Sequence, residues 1–162
     1  EIECFQGCDS LGRNAVYFSQ EQKSRPCSLE LWLALRMAAG PGSKAYGILS
    51  VLVQTWYDVE YLFTVDESVF NPPPKVKSAV IRMMRNQVNE LGCDERLFKR
   101  LVKTVFNQRR KMLRVSIKQM FSKEQPASAE FFTLEMMTKR PEQLSVQQFV
   151  ELTNLVEKEL NR

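Results

Sequence analysis

The chain has 162 residues, 44% of them apolar, with 23 Lys/Arg, 19 Asp/Glu and no histidine. That length holds one ordinary domain or two small ones, and no run of 18 apolar residues offers a membrane span. The missing imidazole excludes Ser-His-Asp triads, Cys-His pairs and the commonest general base. The net charge of +4 is unevenly spread: residues 71–121 hold thirteen Lys/Arg and three Asp/Glu, a net of +10, which leaves −6 for the rest. Acids are nearly missing from that segment rather than interleaved, so an anionic partner, RNA or DNA first, fits it better than a solvated helix face.

Cys4, Cys8, Cys27 and Cys93 form no CxxC pair, so reduced thiols are expected and no zinc site. The chain opens on Glu1 with no signal pattern and is expected to be a piece of a longer protein.

Residues 1–36 show little periodicity, apart from a turn at Asp9-Ser10-Leu11-Gly12. A helix is predicted from Leu29 to Ala39, capped by Ser28 and ended by Gly40-Pro41-Gly42. No GxGxxG, no P-loop and no suitably placed acid follows a strand, so no cofactor fingerprint is present. Residues 46–57 place Leu49, Leu52, Val53 and Trp56 on one face, which predicts a buried helix; their Ile and Val content leaves a strand open. From Asp58 to Val65 the alternation of Val59, Tyr61, Phe63 and Val65 predicts a strand with those four on one side.

Next comes VFNPPPKVKSAVIRMMR, Val69 to Arg85. Three consecutive prolines, Pro72 to Pro74, fix φ and donate nothing, so they predict a stiff polyproline II connector feeding a strand from Val76 to Met84. The two strands are expected to form an antiparallel pair at one edge of a sheet. Phe70 stands on this loop beside Lys75 and Lys77, where it can be a base-stacking aromatic or a core plug. An SH3-type ligand role for PPPKVK is disfavoured by the apolar strand that follows.

From Asp94 the pattern turns helical, which makes residues 87–93 the best boundary. Asp94 is a good N-cap, and Leu97, Phe98, Leu101, Val102, Val105 and Phe106 make an apolar stripe. Asn107 is expected to cap a second helix carrying Leu113, Ile117 and Phe121. Residues 99–118 hold eight Lys/Arg and no acid. Arg140-Pro141-Glu142 reads as a turn, and Ser145 with Gln148 as the capping box of a last helix.

Three stretches, FNPPPKVKSAVIR (Phe70–Arg82), FNQRRKMLR (Phe106–Arg114) and RPEQLSVQQF (Arg140–Phe149), stand in order. Together with Pro41–Val65 they resemble the C-terminal part of the small-subunit ribosomal RNA adenine dimethyltransferases, the KsgA family, from about Met37 to Leu160. The proline motif is shared with the related Erm methyltransferases. The resemblance implies an α/β fold class: a C-terminal fragment of a Rossmann-like, S-adenosylmethionine-dependent methyltransferase domain, then a small all-α domain. Residues 1–36 stay unassigned, 37–88 would be the methyltransferase remnant, and 89–162 a helical RNA-binding domain.

The implied reaction is methyl transfer from S-adenosylmethionine to the N6 of two adjacent adenosines near the 3′ end of small-subunit rRNA. Phe70 would stack on the flipped adenine, while Lys75, Lys77, Arg109, Arg110, Lys111 and Arg114 would contact phosphates. The implied partner is small-subunit rRNA or the immature small subunit, met by a cytoplasmic monomer.

Three departures qualify the resemblance. The family's glycine-rich cofactor loop and N-[LI]-P-[YF] motif would precede the matching region, so this chain alone is expected to bind no S-adenosylmethionine. Asn14-Ala15-Val16-Tyr17 lacks the proline, and no catalytic role is carried onto it. Met112 and Val115 stand where members tend to have Thr and Asn. The alternative function is a non-catalytic RNA- or ribosome-binding module derived from the family.

Overall fold

A computed structural model describes residues 7–8, 14–15, 25–71, 75–121 and 127–161. The proline connector, Pro72 to Pro74, lies outside the described residues. Contacts divide the chain into two units: Glu1–Ala38 with Trp56–Gln87, and Ala39–Thr55 with Val88–Arg162. Residues 37–88, read from the sequence as one remnant, therefore contribute to both.

The first unit is built on strands. Gly7–Cys8 (β1) pairs antiparallel with Asn14–Ala15 (β2). A separate sheet joins Arg25–Glu30 (β3), Tyr57–Val65 (β4) and Ser78–Arg85 (β5) in the order β3-β5-β4, antiparallel throughout. The expected antiparallel β4–β5 pair is present at one edge of the sheet, with β4 as the edge strand and β5 between it and β3. Its Ala79 and Ile81 are fully buried two residues apart, as a strand with one face inward requires.

Two sequence expectations are corrected here. Ser28 does not cap a helix. It lies in β3 opposite Val80, and the helix that follows (α1) runs only from Leu31 to Met37. Ladder bonds to β5 outweigh the local helical pattern, and the Leu31 amide donates to the Lys77 carbonyl at 2.9 Å. Phe63 does not share a side with Val59 and Tyr61. Tyr61 faces Ile81 while Phe63 faces Val80, so the ladder carries an extra residue at Leu62. A bulge of one residue exchanges the faces of everything beyond it, and Phe63 is left 56% exposed.

In the second unit every described regular element is helical: Ile48–Gln54 (α2), Glu95–Asn107 (α3), Leu113–Ser116 (α4), Ala129–Thr133 (α5), Val146–Leu160 (α6) and short 3₁₀ turns. Helix α3 starts where its cap predicts, with the Asp94 carboxylate accepting from the Leu97 amide at 2.5 Å. Its apolar stripe supplies Phe98, Leu101, Val102 and Val105 to a core completed by Leu113, Ile117, Phe149, Leu152 and Val156. Each such side chain contributes about 1.5–3 kcal/mol by leaving water. Helix α6 opens with the reciprocal box: Ser145 N donates to Gln148 Oε1 at 3.0 Å, and Gln148 N to Ser145 Oγ at 3.3 Å.

Asn107 is not an N-cap. It is the last residue of α3, and Met112 precedes α4 without any side-chain cap. Residues 39–55 enter the same core through Tyr46, which is fully buried and donates its hydroxyl to the Leu144 carbonyl at 2.9 Å. The ring of Phe106 stands between Tyr46 and Phe149, with centroids 6.2 and 5.8 Å away.

Candidate nucleic-acid interface

Helix α3 ends in a turn because its last residues are polar and cationic, Asn107-Gln108-Arg109-Arg110-Lys111, with no apolar side chain to continue the buried stripe. Backbone bonds fix that turn: Arg109 N donates to the Phe106 carbonyl at 3.2 Å, and Lys111 N to the Gln108 carbonyl at 2.8 Å. Beyond it, Leu113 N donates to the Lys139 carbonyl at 2.9 Å, anchoring the turn to the 134–144 segment.

Arg109 is not a free cation. Its Nε donates to Glu142 Oε2 at 2.8 Å and its Nη2 to the Ser43 carbonyl at 3.2 Å. Glu142 in turn offers its backbone carbonyl to the Gly42 amide at 2.6 Å. Gly42 sits at φ 84°, in the left-handed region that a side chain would strain, so glycine serves the turn there. Arg109 thus laces together three loops far apart in sequence, and both members of the ion pair are about 30% exposed (32% and 27%).

Around this brace lies an open concavity of about 1010 Å³. Lys44, Asn107, Gln108, Arg110, Lys111 and Val115 line it beside the Arg109–Glu142 pair. Its charged side chains are four cations against one acid, a net of +3. Arg110, Lys111 and Arg114 are exposed and form no ion pair among the described residues. Such a basin attracts anions, and its two side-chain amides add donors and acceptors able to read a base edge.

Sequence reasoning missed Lys44 and Gln108 and used Asn107 as a cap. Lys44 carries no local signal, since it reaches the basin through the Gly42–Glu142 and Arg109–Ser43 bonds rather than through a periodic face.

The other predicted residues belong to the sheet unit. Asp66 caps a 3₁₀ turn, Glu67–Val69, that delivers Phe70. The Ser68 amide, then its hydroxyl, then Lys77 hold the Asp66 carboxyl below its usual range. Lys77 Nζ lies 3.4 Å from Asp66 Oδ2, so this predicted phosphate contact is already paired. Lys75 is exposed and forms no ion pair among the described residues. Phe70 is half-buried, and no other ring meets it among the described residues. Phe70, Lys75 and Lys77 stand in one unit and Arg109 to Arg114 in the other.

The sequence profile described as ribosomal RNA adenine dimethylase matches residues 26–158. The chain belongs to that family. The resemblance read from the three motifs is thereby borne out.

Two relatives of the dimethylase family illustrate the likeness. Over 125 residues the chain is 68% identical to the ribosomal RNA small subunit methyltransferase A of Phocaeicola vulgatus, covering 77% of this chain and 43% of that protein. Over 140 residues it is 61% identical to the protein of that name from Parabacteroides distasonis, covering 85% and 51%. The chain spans about half the length of the curated relatives it matches.

Among solved structures, a dimethyladenosine transferase from Plasmodium falciparum aligns with a TM-score of 0.72 at 23% identity, covering 85% of this chain and 58% of that one. The 23S rRNA methyltransferase ErmE aligns at 0.51 and 17% identity, covering 81% and 55%. Both likenesses are of fold.

The dimethylase family uses S-adenosylmethionine. From Arg25 onward the described residues of the sheet unit contain no glycine. A glycine-rich turn that lets backbone approach such a cofactor closely is therefore missing from them. They do not fit the cofactor, and no catalytic step is derived through it.

Proposed function

We propose that this chain is the C-terminal portion of an rRNA adenine N6,N6-dimethyltransferase, which transfers methyl groups from S-adenosylmethionine to two adjacent adenosines near the 3′ end of small-subunit rRNA. The family match over residues 26–158 carries the reading. Within it, the sheet unit is the end of a Rossmann-like domain and the helical unit is the RNA-binding part. Phe70, half-buried and without a ring partner among the described residues, offers a π-face to an extruded adenine. Lys75, Arg110, Lys111 and Arg114 take phosphates, while Arg109 and Lys77 serve by shaping the two loops around them.

The partner is the immature small subunit, met by a monomer in the cytoplasm. No described helix is long and apolar enough to cross a membrane. This chain by itself binds no S-adenosylmethionine; micromolar binding by calorimetry would correct that point.

The test is methylation by the complete protein that carries this chain. Small subunits lacking the modification should gain N6,N6-dimethyladenosine at two adjacent positions. RNA binding without methylation would replace this reading with a non-catalytic RNA- or ribosome-binding module. Failure to bind RNA at all would sink both.

A further inference from the structure

The outward face of α3 is a second cationic surface that the basin does not explain. Arg96, Arg100, Lys103 and Asn107 follow one another at intervals of four, three and four residues, so they fall within about 60° of one another around the helix. All four are exposed, and none forms an ion pair among the described residues. The single nearby pair joins Lys99 to Glu95 at 3.5 Å, one row away. Along the axis the row is about 16 Å long, eleven residues at a 1.5 Å rise. Asn107 ends the row and also lines the basin, so the two surfaces are continuous within one unit.

Helix stability does not account for this row. The N-terminus of a helix favours acids, yet Arg96 lies in the first turn and Lys99 and Arg100 follow it closely. Arg96 and Arg100 are like charges at i, i+4, an unfavourable pair on an isolated helix. A face that only needed water would interleave acids, and Glu95 is the sole acid of α3. A protein-binding helix face would show an apolar anchor. Every fully exposed position of α3 is charged or amide-bearing instead.

We propose that the Arg96–Arg100–Lys103 row is a phosphate track for RNA, leading the backbone of a strand into the basin at Asn107. The inference rests on the RNA-binding reading above and adds a surface to it. The cations hold consecutive phosphates without reading sequence. Any sequence preference arises at the basin, where Asn107 and Gln108 present their amides.

The test compares Arg96→Gln/Arg100→Gln/Lys103→Gln with Arg110→Gln/Lys111→Gln in the 162-residue chain. Binding is titrated against small-subunit rRNA over a salt series, and fold is checked by thermal melting. The track predicts that the triple variant loses about 2–3 from the slope of log K against log salt, at 0.7–0.9 per phosphate. Affinity at low salt falls about 100-fold, and melting does not drop, because like charges have been removed. An unchanged slope for the triple variant, with a reduced slope for the double variant, overturns the track and leaves the basin standing. Unchanged slopes for both overturn the RNA-binding reading itself. If poly-glutamate binding falls in the triple variant while the RNA slope holds, the row serves an acidic protein segment and the track is overturned.

Discussion

Arg109 and Glu142, 33 residues apart in sequence, meet through Nε and Oε2 at 2.8 Å, and the same guanidinium reaches the Ser43 carbonyl. A cation that opens a run of three in the sequence is thus a structural brace. Its neighbours Arg110 and Lys111 are the ones exposed to a ligand. The half-buried geometry sets what the pair is worth. Arg109→Ala and Glu142→Ala should each lower urea stability by about 1–2 kcal/mol, and a double-mutant cycle should return a coupling of about 1 kcal/mol. Strict additivity in that cycle would show the pair to be incidental.

Arg110→Ala and Lys111→Ala should behave differently. Both side chains are exposed and form no ion pair among the described residues, so stability should stay within about 0.5 kcal/mol of the parent. RNA affinity should fall and the salt slope should drop by roughly 1 for each phosphate lost. A fall in affinity with an unaltered slope would mean that these residues act through shape instead.

The proposed stacking role of Phe70 is tested on the complete protein that carries this chain. Removing a stacking face loses about 1–3 kcal/mol per base, so Phe70→Ala should slow methylation about 10- to 100-fold while Phe70→Tyr retains most of the rate. Thermal melting separates this from simple packing. A core plug would drop both melting temperature and rate, and Tyr would not rescue it in proportion.

Much of the fold could be read from local pattern. Asp94 and the stripe from Leu97 to Phe106 specified α3, Ser145 with Gln148 specified the start of α6, and alternation specified β4. What escaped depends on partners distant in sequence. Arg25–Glu30 becomes a strand because Ser78–Arg85 pairs with it, about fifty residues further on. Phe63 changed sides through a bulge that leaves no composition signal. The basin followed the same rule. Its cations were visible as a run, but the carboxylate and carbonyl that immobilise Arg109 lie 33 and 66 residues away.

Tyr46 carries a pH prediction. Burial pushes its phenol from 10.0 up to about 12, so the folded state favours the neutral form. A group whose pKa is raised on folding stabilises below its unfolded value and loses that contribution as pH rises. The window here runs from pH 10 to pH 12, and the loss is about 2 kcal/mol. Tyr46→Phe gives up the bond to Leu144, about 1 kcal/mol at neutral pH, and should flatten stability across that window. Urea midpoints measured at pH 9 and pH 11 for parent and variant decide it. Parallel declines in the two proteins would rule out a contribution from Tyr46.

The helical unit draws on two separate pieces of chain, Ala39–Thr55 and Val88–Arg162, and the hydrogen bond from Tyr46 to Leu144 spans 98 positions. Contacts of such separation raise contact order, which slows folding because loop-closure entropy is spent before the contact forms. During synthesis, Ala39–Thr55 leaves the ribosome long before the helices that will enclose it. Tyr46 and Val51 stay uncovered until α3 and the segments that follow it are made, and this interval is when the nascent chain is most exposed to misassociation. A polypeptide cut at Val88 would carry α3 to α6 but lack α2 and the Tyr46 plug that complete their core.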